Sequence, residues 1–454
     1  MPETAAPSAP PVAFREALRF WMKLGFINFG GPSGQIALMH EELVERKRWI
    51  GEGRFLHALA FCMLLPGPEA QQLAIYVGWL LHKMRGGIAA GVLFVVPSFF
   101  LMMLLSWTYA AHGTVSWVAG VFSGLSAAVL GMVLAALLRI GARALTNGFA
   151  LMIATASFLA IFVVGTPFPI VVVGAGLIGY VVSRVRPGLV TVPAELGADA
   201  AGAAIDATTF DAQHTRPSAR RAATVLLVGI ALWWIPLLGV IAWRGAGDVL
   251  STEALFFSTA SIVTFGGAYA VLAYVNQAAV YRFGWLAPGD VVAGLGLAES
   301  TPGPLIMVAQ FVGFLAAYRL HGDLSPLTAG IIGATVTVWA TFAPCFLWIF
   351  LGAPYVERLR TNRRLGAALG AITGAIVGVI ASLALTFGVN VLFHRVVLHR
   401  PFFVPISVPA LASLNVFALV VAAGAFIAIR RFRSNPALVA VACGAIGLLR
   451  AVVR

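Results

Sequence analysis

Phe29-Gly30-Gly31-Pro32-Ser33-Gly34-Gln35 and Pro66-Gly67-Pro68-Glu69-Ala70-Gln71-Gln72 interrupt two apolar stretches near the start of the chain. Both interruptions return later, as Phe265-Gly266-Gly267 and Pro302-Gly303-Pro304, each 236 positions on. Trp49 and Trp285 keep that spacing. Farther along, Pro97 matches Pro344 and Gly131 matches Gly378 at a spacing of 247, and Gly176 and Gly179 match Gly444 and Gly447 at 268. Helix breakers repeated at matched positions mark a duplication. Interrupted apolar segments in corresponding places of two halves are where membrane carriers build their sites.

The composition places those breaks in a bilayer. Hydrophobic residues make up 60% of the 454 positions and charged residues 10%, against about 25% charge in soluble domains, and the mean hydropathy is +0.94. Apolar stretches near the roughly 20 residues that span a membrane recur at 88–107, 117–138, 149–164, 170–182, 222–243, 331–350, 365–387, 416–429 and 437–449. The reading is an all-α integral membrane protein. The net charge of +13 sits in short clusters between apolar segments, where it orients a membrane protein, so nucleic acid is not an expected partner. Cys62, Cys345 and Cys443 lie scattered in apolar runs and match no metal-binding spacing, so neither metal nor cofactor is called for. The first residues lack the basic start and apolar run of a cleaved signal peptide.

Five regions follow: a disordered tail at 1–13, a first repeat at 14–185, a polar cytoplasmic linker at 186–221, an unpaired membrane helix at 222–243, and a second repeat at 252–454. Each repeat holds about six apolar segments, so it begins and ends on one side of the membrane. The one extra crossing then turns the second copy over, and the expected architecture is a pair of inverted-topology repeats. Charge supports the inversion. Arg46, Lys47, Arg48 and Arg54 have only Arg282 near the matching position, whereas Tyr109–Gly113 has no Lys or Arg and its counterpart has Arg358, Arg360, Arg363 and Arg364. The first two segments of each half read as re-entrant hairpins broken at the Gly-Gly and Pro-Gly-Pro motifs.

Backbone freed from a helix inside a membrane must be buried in protein or face a cavity. Each break also begins a half-helix, whose unpaired N–H groups carry a partial charge of roughly +0.5. Four such ends aimed at a common centre favour an anion. Candidate binding residues are Asn28, Gly30, Gly31, Ser33, Gln35, Gly67, Gln71, Gln72, Gly266, Gly267, Ser300, Thr301 and Gly303, through backbone N–H, hydroxyl and amide donors. Glu69 and Glu299 flank the two Pro-Gly-Pro breaks and are candidates for proton coupling; helix capping is the alternative for Glu69. Lys23, before the first break, is a candidate for balancing anion charge, with interfacial snorkelling as its alternative. No His-Glu-x-x-His or related catalytic pattern is present, and the chain is not read as an enzyme.

The stretches Lys23–Met39, Cys62–Leu73, Phe265–Tyr269, Gly296–Pro304, Phe342–Phe346 and Phe350–Tyr355 resemble the signatures of the chromate ion transporter family, in its long-chain, two-domain form. The likeness runs over both halves. Asn28 and Ser33 stand where the family pattern suggests Ser and Ala. The resemblance implies a secondary transporter, multi-pass in the bacterial cell inner membrane, that exports chromate and confers chromate resistance, with the proton gradient or membrane potential as energy source. Sulfate or another tetrahedral oxyanion is the alternative substrate. A homodimer is allowed but not required.

Overall fold

The structure, a computed structural model, describes residues 12–28, 31–63, 65–113, 115–186, 218–263, 268–355, 363–393, 395–399, 406–432 and 434–453. It is helical apart from one short antiparallel hairpin, β1 (Val396–His399) with β2 (Ile406–Pro409). The tail and linker read from the sequence fall largely outside the described residues, as do Arg358 and Arg360.

The first half runs α1 (Phe14–Ile27), α2 (Gly31–His40), a π-helical turn (Glu41–Arg46), α3 (Glu52–Cys62), α4 (Glu69–His112), α5 (Ser116–Ala144), α6 (Gly148–Phe162) and α7 (Phe168–Val185). Then comes the unpaired α8 (Ala219–Arg244). The second half repeats the order as α9 (Val249–Val263), α10 (Ala268–Asn276), a π-helical turn (Gln277–Arg282), α11 (Pro288–Ser300), a 3-10 turn (Leu305–Met307) leading into α12 (Val308–Arg319), α13 (Pro326–Gly352), α14 (Arg363–Leu392), α15 (Val416–Arg431) and α16 (Pro436–Val453).

Equivalence extends to single bonds. The carbonyl of Leu43 accepts from the N–H groups of Trp49 and Ile50, and that of Ala279 accepts from those of Trp285 and Leu286. Phe20 sits edge-on to Trp21 and Trp49, as Phe256 does to Phe257 and Trp285. Arg48 and Gly284, at matched positions, both have positive φ (51° and 64°). The hairpin β1–β2 fills the longer connection before α15, which is why the repeat spacing lengthens from 247 to 268.

One apolar run departs from a simple span. The 44-residue α4 would be about 66 Å long if straight, over twice the roughly 30 Å hydrocarbon core. It folds back at His82 and Lys83, whose φ/ψ are non-helical. The two arms pack against each other through glycine: a Cβ at Gly87 would reach the Ile75 carbonyl at 3.1 Å and one at Gly78 would reach Ala90 at 2.8 Å. In the second half the same fold-back is made by the longer connection between α12 and α13, where a Cβ on Gly333 would meet Ala317 at 2.6 Å and the Gly313 carbonyl at 2.7 Å.

The halves exchange their ends. α5 packs against α15 and α16, and α14 packs against α6 and α7. Glycines set the closest approaches: Gly131 lies on the carbonyl of Ala422 and the N–H of Phe426, and its counterpart Gly378 on those of Ala154 and Phe158. Gly120 lies against Gly447, and Gly179 against Ala367. Each contact is matched by its mirror, as when two copies meet about a two-fold axis. Small residues let membrane helices approach backbone to backbone, where dispersion replaces the absent hydrophobic drive.

Among the described residues, five helical stretches are long and apolar enough to cross a membrane: 69–112, 119–142, 219–244, 326–352 and 366–392. Outward-facing Phe100, Leu227, Ile235 and Leu449 are 64–70% exposed, a surface suited to lipid tails rather than water. The chain is a multi-pass membrane protein. Helices α1, α3 and α11, with 14, 11 and 13 residues, extend only about 16–21 Å each, less than the hydrocarbon core.

Candidate functional site

The described ends of the breaks meet where the halves meet. Gly303, in the Pro-Gly-Pro after α11, donates its N–H to the carbonyl of Asn28 at the end of α1 (2.8 Å), and its own carbonyl accepts from the Gln35 amide of α2. The geometry demands glycine at both Pro-Gly-Pro motifs, since Gly67 and Gly303 have φ of +117° and +123°. Their surroundings again mirror each other: a Cβ on Gly67 would reach Cys345 Sγ at 3.0 Å, and one on Gly303 would strike the Ser98 side chain. Ser98 and Cys345 occupy the same position of the repeat, each following the proline matched at 247.

Two small cavities lie beside these contacts. One is lined by Pro32, Gln35, Pro68, Glu69, Ala70, Pro304, Leu305 and Ile306. Residues 68–70 and 304–306 are equivalent triplets of the two repeats, so both halves line this cavity at matched positions. Its wall contains first-turn residues of α2, of α4 and of the turn leading into α12. The other cavity, against Gly67 and Pro68, is lined from the second half by Phe257, Ser261, Val271, Ile306 and Thr341, with Val271 supplied by the first turns of α10. Each holds about 10 Å³, room for one water-sized centre. The two Pro-Gly-Pro breaks and the start of α2 are therefore closely packed in this conformation, and the walls are largely apolar.

Of the residues picked from sequence, Gln35, Gly67 and Glu69 line a cavity, and Gly303 and Asn28 are joined beside it. Asn28 is fully buried, and neither its Oδ1 nor its Nδ2 has a partner. Gln71 donates to the carbonyl of Gly91 (3.4 Å) and Gln72 to that of Pro66 (2.7 Å), while the Oε1 of each is buried and unpartnered. The Thr301 hydroxyl donates to the Ala298 carbonyl at 3.3 Å and contacts Met102 Sδ at 3.6 Å. Glu299 is buried within α11, outside both cavity walls. Gly31 opens α2 and Ser300 closes α11; like Ser33, their side-chain surroundings are not described. Gly30, Gly266 and Gly267 lie outside the described residues.

Lys23 is placed differently from the other candidates. α1 turns Ala17, Phe20, Trp21 and Leu24 inward, which leaves Lys23 on the opposite face with its side chain 58% exposed and 3.5 Å from Glu42. Glu42 also receives Arg46 at 3.1 Å. The charge of Lys23 is spent on that carboxylate, and it reaches neither cavity.

Sequence reasoning missed Ser98, Ser261, Thr341 and Gln310, which donates to the Phe99 carbonyl at 2.8 Å. The signal for Ser98 was available, because it follows Pro97, a marker of the repeat. Also missed was a polar cluster across the halves. Asp290 of α11 accepts from Arg319 of α12 (2.7 Å) and from the Tyr109 hydroxyl at the end of α4 (2.8 Å).

With this geometry in hand, comparison with known proteins is decisive. The family model described as chromate transporter matches residues 15–180 and 252–448, which are the two repeats without tail, linker or α8. This chain belongs to the chromate transporter family. Among curated relatives in that family's range, the chain is 30% identical over 364 residues to the chromate transport protein of Pseudomonas aeruginosa, covering 79% of this chain and 77% of that one. It is 28% identical over 356 residues to the chromate transport protein of Cupriavidus metallidurans (77% of each chain). It is also 28% identical to a probable chromate transport protein of Synechococcus elongatus (78% of this chain, 80% of that one). No solved structure matches this chromate transporter family chain.

Proposed function

We propose that this protein carries chromate, a tetrahedral dianion, across a bacterial inner membrane, and that it binds the ion where the broken helices converge on the two-fold axis. The observation that carries this reading is the cavity shared by the halves, walled by first-turn residues of α2 and α4 and by the 3-10 turn that leads into α12. Helix N-termini present free N–H groups and partial positive charge. Asn28, Gln35, Gly67 and Gly303, with Gly31, Ser33, Gln71, Gln72, Ser300, Thr301 and the Gly30 and Gly266–Gly267 breaks, form the proposed binding shell. The substrate is larger than the present cavity, so the packed breaks must part to admit it.

The halves are inverted in this account. With the short broken helices re-entrant, each half crosses by the long arm of α4 or α13 and three further helices, an even number, and α8 supplies the odd crossing. Rocking of one half against the other about the axis would open the cavity to each side in turn. Export takes a dianion toward the positive side of the membrane, favourable by roughly 2.3 kcal/mol per charge per 100 mV.

Glu69 and Glu299 are the coupling carboxylates at the breaks. An ionised Glu69 would repel a dianion in the cavity it lines, whereas its protonated form donates a hydrogen bond, so proton and substrate each favour binding of the other there. Gly31→Leu and Gly303→Leu test the site: both should insert normally and lose chromate flux into inverted vesicles, and normal flux in both would contradict the assignment. Competition by excess sulfate decides between a chromate carrier and a general oxyanion carrier.

A further inference from the structure

Glu253 stands apart from everything described so far. It lies one turn into α9, fully buried, and neither carboxylate oxygen has a hydrogen-bond partner. It is the only carboxylate in that condition among the described residues. Its surroundings are the crossing of α9 with α12 and α13: a Cβ on Gly333 would come within 2.9 Å of Glu253 Oε2, within 2.6 Å of the Ala317 methyl and within 2.7 Å of the Gly313 carbonyl. Thr337 presses on Gly313 from α13, and its hydroxyl is likewise buried and unpartnered. The repeat offers no precedent, since the matching position in the first half is Ala17.

A buried carboxylate with neither counter-charge nor donor is costly when ionised, by several kcal/mol even after relaxation. The charged groups around it are committed elsewhere. Asp248, at the turn before α9, is held by Arg244 at 3.0 Å, and Arg244 also binds Asp323, whose carboxyl it keeps below the usual range by hydrogen bonding. α12 contributes Arg319, which is paired with Asp290, and Tyr318. α13 has no charged residue, and α10 brings only Tyr269 and Tyr274 as titratable groups. Among the described residues no group neutralises Glu253, which leaves a proton to do so.

We propose that Glu253 is a second proton-carrying site, separate from the central cavity, which binds a proton when α9 is seated on α12 and α13 and releases it when α9 moves. The proposal rests on the carrier reading above and adds one proton to its cycle. The full-length protein in proteoliposomes gives the test, as the proton-to-chromate ratio measured from the pH gradient that just balances a chromate gradient. Glu253→Gln, a fixed neutral mimic of the acid, should lower that ratio by one, and Glu253→Asp should retain it. An unchanged ratio in Glu253→Gln, a fall to zero, or loss of flux in both variants overturns the proposal. A second readout needs no transport. A hydrophobic carbodiimide attacks protonated buried acids, so peptide mass spectrometry of the wild type should find Glu253 modified, less so as pH rises. No modification at any pH, or protection by sodium ions in place of protons, also overturns it. Absence of chromate flux in the wild type would sink the carrier reading, while the labelling would still report on Glu253 itself.

Discussion

Replacing Gly303 by alanine adds a single methyl where the account places most stress. At φ +123° a residue with a Cβ is strained by roughly 1–3 kcal/mol. The new methyl is directed into the Ser98 side chain, an overpacking of about 1–3 kcal/mol. Together the cost is near 4 kcal/mol, and it falls on the conformation in which Gly303 binds Asn28 and Gln35. If that conformation is an obligatory step of transport, a penalty of this size lowers its population about a thousandfold. Chromate uptake into inverted vesicles, normalised to inserted protein, should fall accordingly. Adding Ser98→Gly removes the steric part but not the backbone strain, so the double variant should recover about one to two orders of magnitude of flux. Gly303→Ala with wild-type flux, or a double variant no better than the single, would refute the reasoning.

Because the helix exchange is reciprocal, Gly131→Val and Gly378→Val should destabilise the protein by similar amounts, each about 1–3 kcal/mol, seen as similar falls in melting temperature in detergent; a large disparity would argue against equivalent contacts. Asp290→Asn breaks a pair whose carboxylate is buried while Arg319 is 42% exposed, so we expect a loss of about 2–3 kcal/mol, below that of a fully buried pair, seen as reduced thermal stability. Lys23→Ala removes a surface contact worth under about 1 kcal/mol and should leave apparent chromate affinity nearly unchanged. Glu69→Gln should flatten the pH dependence of chromate affinity measured by binding to the detergent-solubilised protein, while an unaltered profile would remove Glu69 from coupling.

The breaks announced themselves in sequence because glycine and proline are helix-incompatible and their spacing repeats. α8 was legible as an apolar run without a partner. The fold-back at His82 and Lys83 falls in the short charged gap before the apolar stretch 88–107, so its place was legible; the glycine packing that closes it, at Gly78 and Gly87, was not. The exchange of α6–α7 and α15–α16 between halves was equally hidden, because a small-residue stripe states that a helix is approached closely but not by which partner. In the site, Gln35 and Glu69 were readable from adjacency to a break. Ser261 and Thr341 reach the cavity wall from α9 and α13, distant in sequence, and required the fold. The outward placement of Lys23 was readable in principle from the periodicity of α1, whose apolar positions 17, 20, 21 and 24 leave 23 on the other face.

Glu45 and Tyr281 stand at matched positions of the two repeats, both exposed on their π-helical turns. Single cysteines there, in a background with buried Cys62, Cys345 and Cys443 replaced by alanine, can be probed in intact cells with a membrane-impermeant maleimide. Inversion predicts that Tyr281→Cys is labelled from outside and Glu45→Cys only after the membrane is opened. Labelling of both from the same side would contradict it.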